Sequence, residues 1–157
     1  MKSIISKTLM LVAIAATLLS FSSKLSPASP VGGEGFEISL NGKIVLQQFG
    51  KDMENVKTLQ LSSASANDKL TIRYHHCGKV GKNRIVTIKD EQNKLIKEWR
   101  FNDASTAPGD MSCSVQDIIS LKKGSNNVLK IYYSSSELPN GRQLASVIVA
   151  NTNKVQP

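Results

Sequence analysis

The chain has 157 residues, 20 of them Lys or Arg against 12 Asp or Glu, for a formal charge of +8. That length holds one domain and excludes most multi-domain enzymes. With 40% apolar and 20% charged residues, it reads as neither disordered nor fibrous.

Residues 1–28 read as an export signal. Lys2 and Lys7 give the positive start, Thr8 to Phe21 gives an apolar run of 14, and Ser26-Pro27-Ala28 puts small side chains where a signal peptidase reads. As a helix, 14 residues rise only about 21 Å, short of a roughly 30 Å bilayer core. A cleaved leader is therefore expected, with no membrane span remaining after it. No Cys follows the run, which excludes a lipid-modified terminus. Cleavage after Ala28 leaves 129 residues with 17 basic and 12 acidic groups, or +5. The expected location is outside the cytoplasm: periplasm, cell surface or medium. A flexible lead (29–35) and a flexible tail (152–157) should flank one domain over 36–151.

The first element in that domain is a hairpin. Phe36, Ile38 and Leu40 alternate with polar residues, then Asn41-Gly42 supplies the two positive-φ positions of a type I′ turn before the run 43–49. Short strands are expected next over 56–61, 69–77, 85–89 and 95–101, the third of these entered through a turn at 78–84. Met111 to Val115 alternates like a further strand. Ser114 and Asp117 then form a candidate capping box for a short helix near 115–123, with Gly124 at its exit. Strands over 128–134 and 143–151 close the domain, the second after the turn residues Pro139-Asn140-Gly141. The expected fold is all-β: a single antiparallel sandwich or jelly roll of about eight strands with one short helix.

The two cysteines, Cys77 and Cys113, suggest a disulfide in an oxidising compartment, with two free thiols as the alternative. His75-His76-Cys77 is the one cluster of metal-ligand types. On a regular strand His75 and Cys77 share a face and His76 does not, so two ligands are on offer where a zinc site needs three or four. The segment 78–84 lacks the spacing and the helix of a phosphate-binding loop, and lacks the helices of an RNA-binding G-x-x-G loop. What it offers is a hairpin tip with Lys79, Lys82 and Arg84, a candidate anion contact.

Ser120 and Lys123 match S-x-x-K, a chance-level match without its companion motifs. No nucleophile elbow or triad context appears. Asn102, Asp103 and Asp110 match no calcium loop. Tyr132 alternates with the apolar Ile131 and Tyr133 and should face outward, where a ring can stack on a pyranose. Trp99 is expected in the core with Leu95 and Phe101.

These readings point to an exported, non-catalytic binding or structural module. No cofactor and no nucleic acid is expected, and an extracellular glycan, a polyanion or a cell-envelope protein is the expected partner. A small glycan-active enzyme, or a metal-handling protein using His75 and Cys77, is the alternative.

Overall fold

Nine strands build two sheets in the computed structural model, which describes residues 33–62, 66–122 and 128–150. The signal segment, most of the lead, the tail and the Gly124 helix exit lie outside these described residues. The strands are β1 (Glu34–Leu40), β2 (Lys43–Phe49), β3 (Lys57–Ser62), β4 (Lys69–His76), β5 (Arg84–Lys89), β6 (Leu95–Phe101), β7 (Met111–Ser114), β8 (Val128–Ser135) and β9 (Leu138–Ala150). A 3-10 turn, Gly50–Glu54, follows β2, and one helix, α1 (Val115–Ser120), follows β7. One sheet runs β2-β1-β4-β7 and the other β3-β9-β8-β5-β6. The fold is thus an all-β sandwich.

Alternation decides which side chains meet between the sheets. Phe36, Ile38, Leu70, Ile72 and Tyr74 from the first sheet and Leu61, Val86, Ile88, Ile131, Tyr133 and Val147 from the second are all buried in one cluster. Asn41 (φ 49°) and Gly42 (φ 83°) make the β1–β2 turn, both in the left-handed region. The Asn41 side chain also ties this turn to β4: its Nδ2 donates to Asp68 Oδ1, and its Oδ1 accepts from the Lys69 amide.

Several expectations change. β1 begins at Glu34, inside the expected lead, because Gly35 pairs with both β2 and β4 and Glu34 continues the pairing with β4. The turn residues 139–141 lie within β9, which starts at Leu138. Gly141 (φ 67°) occupies a region where the β8–β9 register shifts, and the reversal comes earlier, at Ser136 and Glu137. β3 pairs with β9 in parallel, the one exception among the sheet pairings to the antiparallel pattern. Ser114 makes no side-chain cap. Instead the Val115 and Gln116 amides donate to the Asp68 and Ala66 carbonyls, so the β3–β4 connection satisfies the helix start. Leu95 on the edge strand β6 is exposed, while Trp99 and Phe101 pack against the core.

The expected Cys77–Cys113 disulfide is absent; both thiols are free. Register explains why. Cys113 sits opposite Leu70, whereas Cys77 lies just past the far end of β4. Seven residues of strand separate these positions, about 23 Å, and a disulfide needs Cα atoms within about 7 Å. Burial pushes the Cys113 thiol up to about 12, while Cys77 is exposed. Iodoacetamide at pH 8 should therefore label one cysteine, Cys77, in the native protein and both in guanidinium. Intact-mass analysis checks this, and two labels on the native protein would contradict the burial of Cys113.

Candidate functional site

The residues singled out in the sequence do not converge. His75 points away from the core on β4, beside Glu37, with its ring edge-on to Phe49 at 5.3 Å between centroids. Cys77 follows in a left-handed conformation (φ 53°), so the alternation expected to put it on one face with His75 stops at His76. Among the described residues no group of three His, Cys, Asp or Glu side chains is placed to hold a metal. Among these residues His75 and Cys77 gain no third ligand.

Lys79 and Lys82 are exposed on the 77–83 loop, but Arg84 is not with them. It is 6% exposed, at the start of β5, and its guanidinium faces inward. Nε and Nη2 donate to the Asn102 carbonyl at 3.0 and 2.7 Å, and Nη1 donates to the Gly109 carbonyl at 2.8 Å. A fork of fixed donors suits two carbonyls better than a lysine would. Gly109 and Gly81 leave the room: a Cβ on either would press on the Arg84 side chain. The expected basic trio is therefore a pair of lysines, with Glu137 Oε2 accepting from the Lys82 amide at its base.

By pinning residues 102–109, Arg84 shapes one wall of an open polar groove of about 650 Å³. Glu37, Arg73, His75 and Asp110 form its floor. Arg73 donates through Nε and Nη2 to the two oxygens of Asp110, and this contact holds the Asp110 carboxyl below its ordinary range. His75 Nε2 is enclosed without a hydrogen bond, 3.5 Å from Glu37 Oε1. A glycosidase acid needs a raised carboxyl, and Asp110 is shifted the other way.

A second polar group lies between the sheets. His76 Nε2 is 2.9 Å from Tyr133 Oη and 3.4 Å from Ser135 Oγ. Tyr74 stacks on Tyr133 at 4.5 Å and donates to Glu34, which also meets Arg142. Ser135 and His76 look like a nucleophile and its base, but both are buried, at 5% and 8% exposure. Burial lowers the His76 pKa, outweighing the carboxylates of Glu137 and Glu34. The arrangement ties β4 to β8.

Tyr132 stands on the outer face of the five-stranded sheet, in a depression of about 390 Å³. Pairing with Thr87 on β5 and Gln143 on β9 fixes its place. Its Oη donates to Gln143 Oε1 at 3.1 Å, and Gln143 Nε2 donates to Ser146 Oγ. Lys89 Nζ lies 4.3 Å from the ring centroid. Thr87, Asn93, Ser134 and Asn140 supply hydroxyls and amides around the ring, and the 139–141 segment that sequence reading treated as a plain turn forms one wall. The alternation around Tyr133 placed Tyr132 outward; nothing local signalled that residues 87–95 and 139–141 would enclose it.

No family model and no curated protein matches this chain.

Proposed function

We propose that this protein is an exported, non-catalytic β-sandwich module that binds saccharides on the outer face of its five-stranded sheet. The observation that carries the reading is the setting of Tyr132: an aromatic ring in a solvent-facing depression rimmed by hydroxyls, amides and the Lys89 ammonium. A pyranose presents an apolar face and a ring of hydroxyls, and a site with one ring and several amides and hydroxyls complements both. Export rests on the leader-like residues 1–28. The non-catalytic part is supported by the enclosure of the Ser135–His76 pair and by the downward shift of Asp110.

A glycan array probed with the purified protein tests the reading. Binding to a defined set of glycans is expected, with Tyr132→Ala weakening it by at least about tenfold, the effect of losing one aromatic stacking contact. Tyr132→Phe should retain binding. An array without signal, or signal indifferent to Tyr132→Ala, would remove the proposal.

A further inference from the structure

Building on that saccharide reading, we infer that the sugar is acidic: a uronate whose ring lies on Tyr132 and whose carboxylate meets Lys89. The depression is lined by one cation, Lys89, and by no carboxylate. The nearby acid on the same face, Glu98, opposite Thr87, is already paired with Arg100 at 2.7 Å. Lys130, next along β8 on the same face, is held by the Glu91 carbonyl and Asn93 Oδ1 and adds a second positive charge. Two cations thus stand beside Tyr132 on this face, while the carboxylates of the 90–94 turn stay off the lining, an arrangement that favours an anionic ligand.

Lys89 also explains why the charge should sit on the sugar ring itself. Its ammonium rests on the Tyr132 ring, the place a stacked pyranose would take. Displaced by the sugar, the flexible four-carbon stem can carry the ammonium to the sugar's edge. A carboxylate bonded directly to a ring carbon lies at that edge. A sulfate ester on an exocyclic oxygen projects farther away. The cation–π contact is thus exchanged for an ion pair of similar reach, so the ligand gains a charge partner without orphaning the lysine.

Calorimetric titration at 50 mM salt with four probes tests this: hexagalacturonate, a neutral galactose hexamer, a sulfated galactose oligomer of the same length, and inorganic polyphosphate. Hexagalacturonate should bind about fivefold more tightly than the neutral hexamer, the scale of a partly exposed ion pair. The gap should close in Lys89→Gln and shrink at 500 mM salt, while Tyr132→Ala loses both hexamers. Circular dichroism of each variant confirms that the fold is kept. Equal affinity for both hexamers in the unaltered protein would overturn the acidic-sugar inference and leave the saccharide reading standing. A preference for the sulfated oligomer would overturn the choice of carboxylate. Tight polyphosphate binding unaffected by Tyr132→Ala would overturn both, since plain charge attraction would then account for everything.

Discussion

Replacing Arg84 by Met should destabilise the protein by about 2 kcal/mol and release the loop from 102 to 109. Met keeps the apolar stem of the side chain and its packing but stops short of the guanidinium. What goes is the fork of donors to the Asn102 and Gly109 carbonyls. A fully buried acceptor left without a partner costs about 1–3 kcal/mol; both carbonyls here are only part-buried, so each contributes about 1 kcal/mol. Lysine is no remedy, because one ammonium cannot span both carbonyls in the same geometry and its charge would be buried with fewer bonds. Urea denaturation gives the stability, and hydrogen exchange at residues 102–110 gives the loop. A loss under about 1 kcal/mol with unchanged exchange would mean that the loop is held by something other than this guanidinium.

Acidification from pH 7.5 to 5 should weaken the fold through His76. Burial lowers its pKa in the folded state, so the unfolded chain takes up a proton near pH 6.5 while the folded chain does not. Above about 6.5 both states are neutral at this residue and the stability is fully present. Below it, unfolding gains up to about 1.4 kcal/mol per pH unit until the lowered folded value is reached. The groups facing the ring are Tyr74, Tyr133, Ser135 and, at longer range, Glu34, Glu137 and His75. His76→Phe keeps an aromatic ring against Tyr74 but removes the titration. It should lower stability at pH 7.5, because the Tyr133 and Ser135 hydroxyls lose their shared partner, and it should flatten the slope between pH 6.5 and 5. Urea midpoints at three pH values decide the matter; an unchanged slope in the variant would assign the effect to another group.

Local chemistry was readable in the sequence where one or two residues suffice to set the backbone. Asn41-Gly42 marks its turn because both positions must take positive φ, and alternation around Ile72 and Ile131 picks the inner faces. Pro139-Asn140-Gly141 carries the same kind of mark, yet Gly141 serves a register shift within β9, since a positive φ suits a bulge as well as a reversal. Pairing at long range left no trace. Cysteine spacing along the chain is silent on register, so the 23 Å of strand between Cys77 and the position of Cys113 could not be foreseen. Arg84 looked like one more surface cation because its partners are backbone carbonyls, which any sequence supplies. Tyr132 was legible as outward-facing; its enclosure was not, since it depends on two turns remote in sequence.

The parallel pairing of β3 with β9, Lys57 beside Ala145, has a kinetic consequence. β9 is the sole partner that β3 has in its sheet, so closing that edge demands a chain loop of about 90 residues, a slow contact to form. A ribosome must release nearly all of the polypeptide before this seam can zip. Until then β3 has no partner in its sheet, and the final strand is the clasp that closes this edge last.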